Sequence, residues 1–431
     1  MSFEKNFCSS PWFHMRINNS GSYEFCRWKT NTNNRINFVN NIKNQTPTDF
    51  FQTSMSSIRK QLLQGESLAE CNTCYVMEKN QKVSGRQRQL LKAGVVATYF
   101  AKSMHSSPLR NDFDYSYNHN GDTVRSVTDW QIDLGNYCNG GCVFCNPDNS
   151  SKLASEFKAM GLIQELPPNS WCDDPELLKK FIDHLTTNNN LQYLHFIGGE
   201  TTITPGFRHI LQALVETGQA SGITIGFTTN LTTWSDSLNE LLVKFNSVHL
   251  GLSIETLTSV NDYVRWPGKL DQTLKILDQW VNFGKQNNWL IQLRTTPTCL
   301  TIDQLSTIYE YAWQHELSVE SCNFLYKPKV MRINVLPAEY LLKARENLSN
   351  WILSHPEDLT SKIINTRDPN IARLQIIQDA QSYLNYIDTA VDESDQMPAL
   401  VNYLKKLEAR RGNSILDYLP HYEQLFRSAG Y

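Results

Sequence analysis

The chain has 431 residues, 40% of them hydrophobic, with 40 basic and 43 acidic side chains and a formal net charge of −3. That size suits a globular protein of roughly two or three domains, the balance of charge offers no general attraction for a nucleic acid, and no run of about 18 apolar residues is present to span a bilayer. The start, MSFEKNFCSSPW, lacks the apolar core of a secretion signal, so a cytoplasmic protein is expected, whose ten cysteines point to metal chemistry rather than a disulfide framework.

Taken from the N-terminus, the first elements are short aromatic runs around an Asn18-Asn19-Ser20-Gly21-Ser22 turn, which suit a hairpin over residues 7–28, followed by a polar stretch from Asn31 to Asn44. Cys8 and Cys26 fall on the two arms of that hairpin, and Cys71-Asn72-Thr73-Cys74 adds a C-x2-C pair. Between Glu78 and Arg110 lie Lys79, Lys82, Arg86, Arg88, Lys92, Lys102 and Arg110 against one acid, a stretch that reads as a solvated basic helix or as a contact for phosphate or an acidic peptide.

From Trp130 the texture changes to alternating strands and helices. Strands are expected over 130–134, 191–197, 223–228, 248–254, 290–295 and 319–325. Helices are expected over 175–185, with Asp174 as N-cap and Pro175 in the first turn, and over 207–217, 235–245, 270–283 and 302–315. Strands joined by amphipathic helices make a parallel sheet, and six such units predict an α/β fold, a partial (β/α)6 barrel. The expected organisation is a small N-terminal domain over 1–125, the barrel over 126–335 and a helical extension over 336–431.

The loop after the first of these strands reads Asn136-Tyr137-Cys138-Asn139-Gly140-Gly141-Cys142-Val143-Phe144-Cys145. Three thiolates on one short loop can hold three irons of a [4Fe-4S] cube and leave the fourth iron open; structural zinc would want a fourth ligand nearby, and His119 and His184 are distant in sequence. This C-x3-C-x2-C spacing, with an aromatic residue before the last cysteine, resembles the signature of the radical S-adenosylmethionine superfamily. A second element, His195-Phe196-Ile197-Gly198-Gly199-Glu200, stands at the end of the next strand. The resemblance implies that Cys138, Cys142 and Cys145 bind the cluster, that Phe144 flanks the adenine, and that the Gly198-Gly199-Glu200 turn receives the amino group of the cofactor's methionine. The physics agrees, because glycines allow close backbone approach and a carboxylate complements an ammonium. Thr229-Asn230, Ser253-Ile254-Glu255 and Asn261-Asp262-Tyr263-Val264-Arg265 resemble further family segments. By that resemblance Asn230 lies at the cofactor, Ser253 binds its ribose and Arg265 its carboxylate. The alternatives are a buried serine satisfied by backbone and a surface arginine paired with Asp262. His195 lies beside the Gly198-Gly199-Glu200 turn, and a histidine on a buried strand is more often a satisfied core residue.

Cys8, Cys26, Cys71 and Cys74 could saturate one centre, either zinc or an iron-sulfur cluster. Their arrangement resembles the auxiliary-cluster module called a twitch domain, and the tail from Arg410-Arg411-Gly412-Asn413 to Pro420 looks like that of twitch-type radical proteins. The resemblance thus implies an auxiliary [4Fe-4S] cluster there. Cys172, Cys299 and Cys322 read as ordinary thiols. The implied activity is reductive cleavage of S-adenosylmethionine, fed by a low-potential flavodoxin- or ferredoxin-type donor. The resulting 5′-deoxyadenosyl radical would take hydrogen from a peptide or small molecule, with a net oxidation or cross-link if an auxiliary cluster accepts an electron. A zinc-binding interaction protein, a scaffold that has lost catalysis and an activase of another protein are the competing readings.

Overall fold

The computed structural model describes residues 6–26, 40–79, 84–95, 106–320, 325, 327–355 and 369–431, the side chains of 369–371 excepted. Its strands are β1 (His14–Ile17), β2 (Tyr23–Glu24), β3 (Asp129–Asp133), β4 (Tyr193–Ile197), β5 (Thr224–Thr229), β6 (Ser247–Ser253), β7 (Leu290–Arg294) and β8 (Ser318–Glu320). They form one sheet in the order β2-β1-β3-β4-β5-β6-β7-β8, and every pairing but β1 with β2 is parallel. The six expected units from residue 129 onward are present. The sheet nevertheless has eight strands, because the expected N-terminal hairpin, β1–β2, is not set apart from it: His14 to Ile17 pair in register with Asp129 to Ile132. The expected 319–325 strand is seen as far as Glu320, and most of the remainder lies outside the described residues.

From β3 to β8 the strand order is the chain order, so crossovers of one hand carry their helices to one side of the sheet. The side-chain alternation records the consequence. One face carries Trp130, Ile132, Leu194, Phe196, Ile225, Phe227, Leu250, Leu252 and Leu293, each at most 1% exposed. Registers place Gln131, His195, Gly226 and His249 side by side on the other face, with Gly251, Gln292 and Ser318 in the adjoining row. A fully covered parallel sheet is apolar on both faces, and this one is not.

The helices begin where side chains can satisfy their first N–H groups. Asp174 accepts from Glu176 and Leu177 to start Pro175–Thr187, Ser150 accepts from Leu153 to start Ser151–Ala159, and Ser84 with Gln87 forms a capping box for Gly85–Lys92. Near the N-terminus a π-helical turn, Phe50–Ser54, leaves carbonyls out of the α pattern. The fully buried Arg59 takes up Phe51 and Gln52 carbonyls there and also donates to those of Pro11 and Gly121. Phe7, Trp12, Leu62, Leu90 and Phe113 make a second, smaller core apart from the main one. The C-terminal part is helical as expected, over Ala338–Ser354, Pro369–Thr389, Met397–Arg411 and Glu423–Ser428.

If burial under the helices dominates stability, Phe196→Ala should cost about 3 to about 5 kcal/mol and the cap variant Asp174→Ala only about 1 kcal/mol. Urea unfolding measures both, and equal losses would contradict this picture.

Candidate functional site

The cysteine loop leaves β3 through Gly135, whose φ of 90° is open to glycine at little cost, and runs into the Ser151–Ala159 helix. Local bonds shape it: Ser151 Oγ accepts from Cys138 N at 3.1 Å, Ser150 Oγ donates to the Gly140 carbonyl at 2.6 Å, and Cys145 N reaches the Cys142 carbonyl at 3.0 Å. The Asn261–Trp266 segment adds two more, with Gly141 N donating to Trp266 O at 2.7 Å and Val143 N to Val264 O at 2.9 Å.

These bonds bring the thiols of Cys138 and Cys142 near one point. A Cβ added to Gly140 would stand 3.7 Å from the sulfurs of both Cys138 and Cys142. Burial pushes the Cys138 thiol up to about 11, with Cys142 and Glu200 adding to the shift. Burial pushes Cys145 up to about 12, with Cys142 and Cys138 adding. Burial also raises Cys142, against the opposing pull of the Arg265 and Arg411 guanidiniums. Three desolvated thiols that feel one another's charge become good ligands once a metal displaces their protons. Gly140 N donates to Cys138 Sγ at 3.3 Å, and Asn230 Nδ2 stands 4.0 Å from it, the kind of hydrogen bonding to sulfur that tunes an iron-sulfur potential. The donor set therefore fits a thiolate-held cluster.

The glycine turn after β4 packs directly on this loop. Gly199 N donates to Gly135 O at 2.8 Å and Glu200 N to Tyr137 O at 2.9 Å. A Cβ on Gly198 would meet Gly135 O at 2.8 Å, and one on Gly199 would meet Asn136 O at 2.7 Å. Glu200, 1% exposed, accepts from Thr202 N and Oγ1 through Oε1 and from Asn230 N through Oε2. It ties the ends of β4 and β5 together, and the Thr229 side chain is a further hydrogen-bond partner. Burial raises its pKa. Asn230 Nδ2 in turn donates to Asn139 Oδ1 at 2.8 Å, inside the cysteine loop. Ser253 ends β6 half-buried on the polar face, in register with Arg294.

Arg265 has a partner that the sequence reading did not assign. Its Nη2 and Nε donate to Glu255 Oε1 at 2.8 and 3.2 Å, while Glu255 Oε2 accepts from Thr295 Oγ1 and Thr296 N. Pairing with Asp262 does not occur, because that carboxylate accepts from Leu270 N, at the start of the Leu270–Gln286 helix. The guanidinium also lies over the Phe144 ring, 5.6 Å from its centroid. Proximity of Glu255 to the motif was the available signal, but only the fold brings it to Arg265.

On the polar face of the sheet, large polar side chains fold over the glycines. Tyr193 and His195 lie over Gly226, where a Cβ would meet the Tyr193 hydroxyl and would stand 2.6 Å from His195 Nδ1. Arg294 lies over Gly251 in the same way, with Nε 2.6 Å from the added Cβ position. Arg294 pairs with Glu320 at 2.8 Å, and Gln292 Nε2 and Arg294 Nε are buried donors without an acceptor among the described residues. His195 is thus a residue of the polar face, hydrogen-bonded to Tyr193 at 3.3 Å, rather than part of the apolar core.

In the N-terminal part, the charge of Cys8 is felt by Cys26, Cys71 and Cys74, which add to the rise that burial gives its pKa. Burial, and then Cys74, push Cys71 up to about 12. The four thiols are therefore within electrostatic reach of one another. Among the described residues, no three His, Cys, Asp or Glu side chains form a ready-made site for a metal ion. Among the described residues of the basic stretch, the three cations of the Gly85–Lys92 helix are paired. Arg86 pairs with Glu78, Lys92 with Asp129 at 2.7 Å and Arg88 with Glu320 at 3.8 Å, acids that the fold supplies mostly from the sheet; Lys82 and Lys102 lie outside the described residues. Cys172 and Cys299 are buried thiols bonded to the carbonyls of Leu134 and Val330, and Cys322 lies outside the described residues.

Removing Arg265 alone strands a buried carboxylate. Arg265→Met should therefore cost about 3 to about 5 kcal/mol, and Arg265→Met with Glu255→Gln much less. Chemical denaturation of both variants checks this, and a double variant no more stable than the single one would refute it.

Residues 132–332 match the family model described as Radical SAM superfamily. No curated protein matches the chain. Among solved structures, SuiB of Streptococcus suis bound to S-adenosylmethionine is 16% identical, with 69% of this chain and 63% of that one covered and a TM-score of 0.35. Native anSMEcpe with bound AdoMet is 17% identical, covering 52% and 60% at a TM-score of 0.37. The radical S-adenosylmethionine methyltransferase TsrM of Kitasatospora setae is 11% identical, covering 45% and 35% at a TM-score of 0.33. The chain thus spans less than two thirds of each of these proteins. The three-cysteine loop and the glycine turn seated on it both lie inside the segment that matches the Radical SAM superfamily model.

Proposed function

We propose that this protein is a radical SAM enzyme in which Cys138, Cys142 and Cys145 hold a [4Fe-4S] cluster. The observation that carries the reading is the docking of the Gly198-Gly199-Glu200 turn on the cysteine loop, Glu200 N to Tyr137 O at 2.9 Å. It joins the turn that the resemblance assigns to the cofactor's methionine to the loop that carries the three cysteines. When bound, the reduced cluster and S-adenosylmethionine supply a 5′-deoxyadenosyl radical able to take hydrogen from an unactivated carbon.

The chain's own work is positioning. Gly198 and Gly199 let the cofactor approach backbone, the Glu200 carboxylate complements its ammonium, and Phe144, Asn230, Ser253 and Arg265 line its remaining length. The sheet closes as a partial (β/α)6 barrel with its polar face inward, where Gln292 and Arg294 offer unmet donors to a substrate rich in hydrogen-bond acceptors, a peptide or a polar small molecule. The N-terminal part is a twitch-like module whose Cys8, Cys26, Cys71 and Cys74 hold an auxiliary [4Fe-4S] cluster, and the helices after residue 336 form an extension. A flavodoxin- or ferredoxin-type donor in the cytoplasm supplies the electron.

The deciding experiment is anaerobic reconstitution with iron and sulfide, then dithionite and S-adenosylmethionine, with 5′-deoxyadenosine quantified. Wild type should form it, and a Cys138→Ala, Cys142→Ala, Cys145→Ala variant should not; a brown wild type that forms none would end the catalytic reading. Iron analysis tests the second site: about eight irons per chain in wild type and about four in Cys8→Ala, Cys71→Ala. One bound zinc per chain in place of the second set of irons would turn that site into a structural one.

A further inference from the structure

Cys142 lies between two carbonyls that are held from the far end of the chain. Arg411 Nη2 donates to Gly141 O at 2.6 Å, and the Tyr403 hydroxyl donates to Val143 O at 2.8 Å. Both donors sit on the Met397–Arg411 helix. The same guanidinium forks onto Glu156, with Nε to Oε1 at 3.2 Å and Nη2 to Oε2 at 2.7 Å, and it lies 4.7 Å from the centroid of the Trp266 ring. The Arg411 side chain is 2% exposed and that of Glu156 6%. A Cβ on Gly141 would stand 2.9 Å from Glu156 Oε2 and 3.0 Å from Arg411 Nη2, so the second glycine of the loop is where this clamp closes.

The clamp is itself braced. Glu408, one turn before Arg411, accepts from the Tyr263 hydroxyl at 2.7 Å, from Ile415 N at 2.7 Å and from the Tyr431 hydroxyl at 2.8 Å. Gly412 ends the helix in the left-handed region at φ 68°, as a helix C-terminus favours. A planar fork that meets a carboxylate and a carbonyl together is a demand that a lysine ammonium does not meet. Burying such a pair is costly unless its hydrogen bonds are complete; here they are completed by the cysteine loop.

We propose that Arg411, with Tyr403, is a positioning residue of the iron-sulfur centre: it anchors the carbonyls on both sides of Cys142, so that the C-terminal helix is part of the cluster-binding site. This rests on the radical SAM reading. Groups that orient ligands from outside the coordination sphere govern metal retention, and hydrogen bonding and charge near the sulfurs set the potential.

Two variants of the full chain test it. Glu156→Gln with Arg411→Met removes the clamp without leaving a lone buried charge, and Tyr403→Phe removes one hydrogen bond while keeping the ring that packs on Phe157. Each is reconstituted anaerobically with ferrous iron and sulfide beside wild type. The part of the EPR spectrum that changes on adding S-adenosylmethionine is then followed during exposure to EDTA and during a redox titration. The expected result is far-UV circular dichroism like wild type, cluster loss about tenfold to about a hundredfold faster in the double variant, a smaller acceleration in Tyr403→Phe, and a shifted midpoint potential in both. Wild-type retention and potential in both variants would overturn the proposal. If the double variant fails to fold, Tyr403→Phe decides alone. A wild type that takes up no cluster would remove the radical SAM reading itself, an outcome distinct from equal behaviour of folded, loaded variants.

Discussion

The arrangement of this molecule depends on the close approach of two loops at neighbouring strand ends. The turn after β4 lies so near the backbone of Gly135 to Tyr137 that a single methyl on Gly198 or Gly199 would collide with carbonyl oxygens. Because β3 and β4 are in register from Asp129 with Tyr193 to Asp133 with Ile197, both loops leave the sheet at one height and must share the space above it. Glycine is the solution to that crowding, and three cysteines and a carboxylate are carried along with it.

A sheet whose strands run in sequence order has two unequal faces. The crossover helices bury one, and the other keeps Gln131, His195, His249, Gln292 and Arg294. Charges on that face are compensated pairwise, Arg16 with Asp133 and Glu24, Arg294 with Glu320, Lys92 with Asp129. Isolated charges there would carry a desolvation cost that such pairs offset. The basic N-terminal helix Gly85–Lys92 supplies Arg88 and Lys92 to this scheme.

The site itself is assembled from three separated stretches: the cysteine loop, the strand ends that follow it, and the C-terminal helix. Glu200 joins β4 to β5, Asn230 joins β5 to the cysteine loop, Glu255 joins β6 to the segment after β7 through Thr295 and Thr296. Carboxylates and amides serve as splices between strand ends, and the buried carboxylates of Glu200 and Glu255 are hydrogen-bonded through both oxygens.

The strands and helices from residue 129 onward were legible in the sequence because their signals are local: alternation in Trp130 to Leu134, the Asp174-Pro175 helix start, and C-x3-C-x2-C on one loop. The pairing of β1 with β3 was not, since residues 14–17 carry no mark of which distant strand they will join. Nor was the partner of Arg265: Asp262 is nearer in sequence, yet its carboxylate starts a helix and Glu255 takes the guanidinium. Arg411 reads in the sequence as part of a tail that resembles that of twitch-type radical proteins, and only the fold shows its packing against Glu156, Gly141 and Trp266. Residue type and short spacing therefore determined what chemistry this chain carries. Tertiary structure decided which charges meet, because an ion pair is selected by burial and direction in space, which spacing along the chain does not encode.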